Sequence, residues 1–300
     1  MASLLEIKKQ IQGVKNTKKI TKAMQLVAAS KMRTFQEKAV GARDFVFNLL
    51  EALDSTVKSG VDTIYSKAPE NGKTLFVLYT SDKGLCGALN NKQIKALFNS
   101  GEWKTAGEEG RLLVTIGKKA TEFAKNNGIA VVKSFVGLPE GMSNIDALAV
   151  VDQILEMWRE GGIKEIKFVA PHYVNSFTFY PQIKTFLPFS KEMVETNLRK
   201  SNSEDGKIVS GKTNDNMIFN SDPEELTERL HELIVQGLFI QSFLELKASE
   251  YSSRMMAMKN ATDAADKKKD ELTLVYNKAR QQAITQEIAE LMGGSAAVSG

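Results

Sequence analysis

The sequence predicts an α/β body, built on a doubly wound and mostly parallel sheet, together with a long antiparallel coiled coil formed by the N- and C-terminal helices. Two observations carry this. All six prolines lie between Pro69 and Pro223, so both ends lack the residue that most readily breaks a helix. Between those ends the apolar pattern changes from steps of three and four residues to short apolar runs that alternate with helical stretches.

The first helix follows from Leu4, Ile7, Ile11 and Val14, then Ile20, Met24, Val27, Ala28, Met32 and Phe35. These form one helical stripe with a phase slip near Thr17. Gly13 and Gly41 each cost about 1 kcal/mol relative to alanine in a helix interior, without ending the pattern.

The middle reads as strand, helix, strand. Thr74 to Tyr79, Leu112 to Ile116, Ile129 to Val132 and Ile166 to Ala170 are short strand candidates, and helical stretches near Asn90 to Phe98, Lys118 to Asn126 and Ser143 to Arg159 alternate with them. A further strand from Thr178 to Phe186 follows the turn-like Pro171 to Asn175 and pairs antiparallel at an edge. Residues 199 to 216 are polar and read as a linker.

The last helix opens on Ser221-Asp222-Pro223-Glu224-Glu225: a capping residue, proline at the first helical position and acids in the first turn. Leu226, Leu230, Leu233, Gly237, Ile240 and Leu244 carry the stripe onward through Tyr251, Met255, Met258, Thr262, Ala265, Leu272, Tyr276 and Ala279 to about Met292. At about 1.5 Å per residue the two helices would run roughly 80 and 100 Å, against a radius of gyration of about 19 Å for a compact chain of this size. The expected division is a coiled-coil helix over 1–68, a Rossmann-like domain over 69–198, a linker and foot segment over 199–220, and a second coiled-coil helix over 221–300. The alternative is that each helix breaks at its glycines into an ordinary bundle.

Composition narrows the function classes. The chain has 300 residues, 42% hydrophobic and 25% charged, enough for a substantial core. A net charge of +4 does not call for a polyanionic partner. One cysteine, Cys86, and two histidines offer neither an intrachain disulfide nor a ready zinc site, which points to a reducing, cytoplasmic setting. No apolar run approaches the roughly 20 residues of a membrane span, and the amino terminus has no secretory h-region.

Gly206-Lys207-Ile208-Val209-Ser210-Gly211-Lys212-Thr213 matches the P-loop pattern letter for letter. A working P-loop needs a buried strand before it and a helix directly after, so that backbone amides converge on the phosphates. Polar residues flank this one on both sides. The loop Ser81 to Gly87 sits where a doubly wound fold places its ligand loop, but it is not GxGxxG, and its glycines suit a tight turn. Cys86 reads as a small packed residue, His172 as a turn histidine, and Asp222, Glu224 and Glu225 as complements to the helix dipole. No catalytic residue, cofactor site or metal site is expected.

Charge is unevenly placed. From Met1 to Arg43 ten basic residues face two acids, a local net charge of +8. This fits a nucleic-acid-binding coiled coil, a protein partner with acidic loops, or a solvated face without a partner. At the other end Ala279, Ala283, Ala289, Gly293, Gly294, Ser295, Ala296, Ala297 and Val298 make a small, weakly apolar tip. Such a tip could sit in an apolar collar without locking there.

Four separated stretches carry a resemblance: Ile7 to Arg33 (IKKQIQGVKNTKKITKAMQLVAASKMR), Ser81 to Asn90 (SDKGLCGALN), Ala248 to Asp266 (ASEYSSRMMAMKNATDAAD) and Leu272 to Glu290 (LTLVYNKARQQAITQEIAE). The chain resembles the gamma subunits of rotary F-type ATP synthases along essentially its whole length. That resemblance implies a non-catalytic rotor shaft, with the paired helices inside a ring of alternating alpha and beta subunits and the body near epsilon, delta and the membrane proteolipid ring. It places the protein peripherally on the cytoplasmic face of a bacterial cell membrane, in proton-driven ATP synthesis. Arg280, Gln281 and Thr285 resemble positions that hydrogen-bond a beta-subunit loop. Met24, with Lys18 and Lys22, resembles the neck facing acidic beta loops. Ile218, Phe219 and Asn220 resemble the foot segment that meets the proteolipid ring and epsilon, although Asn220 and Ser221 depart from the acidic wording common there. The two other classes are an independent P-loop NTPase dependent on Lys212, and a nucleic-acid-binding coiled coil using Lys15, Lys18, Lys19 and Lys22.

Overall fold

The computed structural model describes residues 3–56, 63–139, 144–175, 178–190 and 223–298. In chain order these form α1 (Leu4–Thr56), β1 (Lys73–Tyr79), α2 (Leu89–Phe98), α3 (Gly101–Ala106), β2 (Arg111–Ile116), α4 (Lys118–Asn126), β3 (Lys133–Phe135), α5 (Asn144–Arg159), β4 (Ile163–Asn175), β5 (Thr178–Leu187) and α6 (Pro223–Val298). The chain divides into two compact units, one holding Ala29–Ser253 and the other pairing the residues up to Ala28 with those from Arg254 onward.

In the larger unit the five strands lie in the order β3-β2-β1-β4-β5. β1 is central and pairs parallel with both neighbours. Its six residues from Thr74 to Tyr79 are all buried, as expected of a parallel strand covered on both faces. Leu75, Val77 and Tyr79 join the core against α1, α5 and α6. Phe76 and Leu78 point the other way, into a smaller core closed by Trp103 of α3, Ile94 and Leu97 of α2, and Ala120 and Ala124 of α4. Gly117 makes the turn from β2 into α4 at φ 94°, where a Cβ would lie 1.9 Å from the carbonyl oxygen of Thr80. Only glycine fits there.

Three local expectations are corrected. The third strand is Lys133–Phe135, not Ile129 to Val132. Gly128 turns the chain out of α4 at φ 66°, and the Ile129 amide donates to Ala124 to close the helix, so the chain first meets β2 where the Val132 amide donates to Leu113, and the register runs from Val114 opposite Lys133. The turn-like Pro171 to Asn175 is strand: β4 runs on to Asn175 and pairs antiparallel with β5. Pro171 lies opposite Pro181, so the two residues without amide donors share one rung of an edge pair, where their loss is tolerated. The short helix α3 was not anticipated. Ser100 caps it, accepting from the Trp103 amide at 3.1 Å, and Glu102 lies in its first turn.

The terminal helices are unbroken. α1 runs through Gly13 and Gly41, at both of which an added Cβ would meet nothing within 4 Å, so the broken-bundle alternative is set aside. α6 begins at the proline that the capping signal marked. Within the larger unit α1 and α6 pack against each other. Gly237 of α6 lies so close to α1 that a Cβ would stand 2.7 Å from Val46 Cγ2. Phe35 and Tyr251 stack with centroids 5.5 Å apart and planes 7° from parallel.

Candidate partner-binding surface

In the smaller unit the two helix ends pair along a seam that repeats every seven residues. On α1 the less exposed positions are Ile7, Ile11, Val14, Lys18, Thr21, Gln25 and Ala28; on α6 they include Met258, Thr262, Ala265, Lys269, Leu272, Tyr276, Ala279 and Ala283. The steps alternate four and three without interruption, which is coiled-coil geometry. The phase slip near Thr17 is therefore corrected. Lys18 and Thr21 occupy seam positions, and because they are polar an apolar count steps over them onto Ile20 and Val27. Those two side chains are exposed, at 60% and 57%.

The polar seam positions pair with each other. Thr262 Oγ1 lies 2.8 Å from Thr21 Oγ1, both side chains being buried. One turn along, Lys18 Nζ forms an ion pair with Asp266, whose other oxygen accepts from Lys269 at 3.0 Å. Hydrogen bonding from Lys18 first, and from Lys269, holds the Asp266 carboxyl below the ordinary aspartate range. Neither Asp266 nor Thr21 stood out in the sequence, because only the partner helix reveals their use.

These pairs fix the register. With Thr21 opposite Thr262, α1 begins opposite the stretch around Ala279 and Arg280. Beyond Ala283 every side chain described on α6, from Ile284 to Met292, is exposed. Arg280, Gln281 and Thr285 are all exposed around this point, and the Thr285 hydroxyl donates back to the Gln281 carbonyl at 2.9 Å. Large apolar side chains also stand in the open here: Leu274, Ile288, Leu291 and Met292 are each more than half exposed. Met24 is half-buried at the edge of the seam, and Lys22 is exposed with Nζ 3.3 Å from Gln25 Oε1. Lys8, Lys9, Lys15 and Lys19 are exposed on the same helix. Lys18, by contrast with these four lysines, is partly buried and paired with Asp266.

Ile218, Phe219 and Asn220 lie outside the described residues, as do the linker at 199–216 and the P-loop lookalike at 206–213. The loop after β1 is described. Asp82 Oδ1 accepts from the amides of Lys118 at 2.8 Å and Gly137 at 3.2 Å, so its carboxylate caps α4. Cys86 is buried, with Asn90 Nδ2 donating to its sulfur at 3.3 Å and Ser81 Oγ at 3.4 Å. Leu85 carries a positive φ of 62°. The Cys86 carbonyl accepts from Ser253 of α6. The two histidines pack elsewhere, His172 on β4 near Glu245 and His231 on α6 against Phe189.

A heptad-paired pair of chain ends, carried by the same polypeptide as a doubly wound α/β unit, defines the class: an α/β protein with a terminal coiled coil. The family model described as ATP synthase matches residues 3–298. ATP synthase gamma chains from a Synechococcus strain and from Staphylococcus saprophyticus are 34% and 33% identical, covering 99% or more of this chain and 100% of their own length. The chain belongs to the ATP synthase gamma-chain family. Among solved structures it is similar to a chain in the structure of the central stalk and c-ring of the Tetrahymena thermophila mitochondrial ATP synthase, at 26% identity and a TM-score of 0.57, over 81% of this chain and 99% of that one. The rotor of the Euglena gracilis mitochondrial enzyme shares the fold at 18% identity and a TM-score of 0.60, over 94% and 98% of the two chains.

Proposed function

We propose that this chain is the central rotor shaft of an F-type ATP synthase, carrying torque between a proton-driven proteolipid ring and the catalytic beta subunits. The observation that carries the reading is the polar pinning of the helix pair at Thr21–Thr262 and Lys18–Asp266, in a chain whose family is that of the gamma chains. A shaft transmits a twist only if its two helices do not slide past each other, and buried polar pairs in a coiled coil hold one register. An asymmetric shaft in a near-threefold ring of alpha and beta subunits touches each catalytic subunit differently, so turning it changes which site is open or closed.

In this reading Arg280, Gln281 and Thr285 hydrogen-bond a beta-subunit loop, supported by their exposure opposite the start of α1. Met24 and Lys22, with Lys18 behind them in the seam, face acidic beta loops. The open apolar side chains from Leu274 to Met292 suit an apolar collar. Ile218, Phe219 and Asn220 are proposed to meet the proteolipid ring and epsilon, with delta part of the same complex. The expected division at 1–68, 69–198, 199–220 and 221–300 stands as a proposal for how these tasks are shared. No described helix is long and apolar enough to cross a membrane, which suits a peripheral subunit on the cytoplasmic face of a bacterial membrane.

The test is ATP hydrolysis by the purified chain alone and with added alpha and beta subunits. Activity is expected only with the added subunits. Hydrolysis by the chain alone, abolished by Lys212→Ala, would replace the shaft with a P-loop NTPase.

A further inference from the structure

On the sheet face turned toward α6, the β4–β5 pair sets His172 and Gln182 on one side, with His172 approaching Glu245 of α6, one helical turn from Gln241. The register sets this face. His172 is opposite Tyr180 and Ala170 is opposite Gln182, and alternate residues of a strand share a side. Ala170 packs on that side in the core that contains α6. His172, Gln241 and Glu245 are each less than a tenth exposed.

The hydrogen bonding here does not close within the protein. Gln241 Nε2 donates to Glu245 Oε1 at 3.1 Å, which fixes the amide orientation, because the flipped form would set oxygen against carboxylate oxygen. Gln241 Oε1 is then directed elsewhere, and it finds no protein donor; Gln182 Oε1 and His172 Nδ1 likewise lack a protein partner. His172 is held against the Tyr180 ring, centroids 5.1 Å apart. Its Nδ1 stops 3.8 Å from Glu245 Oε2, beyond direct hydrogen-bond reach. Buried polar atoms are nearly always satisfied, and several exceptions on one face mark a shared partner.

We propose that His172, Gln182, Gln241 and Glu245 enclose a buried water site that fastens α6 to the β4–β5 pair. Water fits the donor count. Its oxygen accepts from the His172 tautomer that carries its N–H at Nδ1, and its two hydrogens go to the amide oxygens or to the carboxylate, the three or so bonds typical of internal water. A metal ion fits less well, because the set holds one carboxylate and one imidazole, and among the described residues no three His, Cys, Asp or Glu side chains come together to hold one. The proposal is independent of the rotor reading.

Oxygen-17 magnetic relaxation dispersion on the full chain counts long-lived internal waters. His172→Phe keeps an aromatic ring packed edge-on against Tyr180 and is expected to remove roughly one of them. Gln182→Met, an apolar substitution of similar size, is expected to lower Tm, since it deletes an acceptor that water uses; with no water there, removing a lone buried acceptor would leave Tm equal or raise it. An unchanged water count in His172→Phe, or a Gln182→Met Tm at or above the parent's, overturns the proposal. So does a Tm lowered by EDTA and restored by added Zn2+ or Mg2+, which would make this a cation site. If His172→Phe does not fold, the Gln182→Met and chelation measurements decide.

Discussion

Thr21 and Thr262, 241 residues apart in sequence, join their hydroxyls at 2.8 Å in the seam between the two terminal helices. Thr21 donates its hydrogen to the Lys18 carbonyl one turn back at 3.1 Å, and the single Thr262 hydrogen serves either the Thr21 oxygen or the Met258 carbonyl, both 2.8 Å away. The contact across the seam exists in one register. Sliding either helix parts the two hydroxyls and leaves each only its own-helix carbonyl, at about 1 kcal/mol for the hydrogen bond lost.

Thr21→Val is therefore expected to destabilise the chain by about 1 kcal/mol, and the Thr21→Val/Thr262→Val double variant by less than the sum of the two singles. Urea unfolding of the four proteins measures the coupling. Strict additivity would show that the two hydroxyls do not act together.

Asp266→Asn removes the anion that Lys18 and Lys269 share. Because the folded carboxyl titrates below its ordinary value, its contribution is present at neutral pH and is lost as pH falls through that depressed value. The ion pair is half exposed, so the Tm difference from the parent should be small and should shrink as salt rises from 0.05 to 0.5 M. A salt-independent difference would contradict the ionic assignment.

His231 gives a pH signature in the opposite half of the acid range. Burial lowers its pKa from 6.5 to about 4, with Thr63 Oγ1 at 2.8 Å from Nδ1. The unfolded chain binds a proton near pH 6.5 and the folded chain does not, so stability is full above about 6.5 and falls down to about 4, by roughly 3 kcal/mol. His231→Phe should flatten the stability profile between pH 4 and 6.5. An unchanged slope in that window would mean another group supplies it.

Gly237→Ala gains about 1 kcal/mol of helix propensity but drives a methyl to 2.7 Å from Val46 Cγ2, a stiff side chain with no exposure. Overpacking of this kind costs about 1–3 kcal/mol, so a net loss of stability is expected. Combining it with Val46→Ala should recover part of that loss. Thermal denaturation of the single and double variants decides.

Much of this architecture was legible in the residues. Proline-free ends and stripes at helical spacing gave α1 and α6, and the apolar run from Thr74 to Tyr79 read as a strand, whose central place only the sheet order reveals. What stayed hidden depended on tertiary partners. An apolar count cannot see a seam that passes through Lys18 and Thr21, since those residues are in place only because Asp266 and Thr262 meet them. Pro171 reads as a turn until Pro181 is set opposite it. Of the surface residues, Arg280, Gln281 and Thr285 came from resemblance alone; that they stand opposite the start of α1 is a consequence of register.

Rotation itself tests the central claim most directly. A fluorescent probe fixed to an exposed position in the residue 29–253 unit should be followed by single-molecule polarisation while the chain, assembled with alpha and beta subunits, hydrolyses ATP. The account predicts continued rotation in one direction, tied to turnover. A probe that holds its orientation while ATP is hydrolysed at the full rate would contradict it.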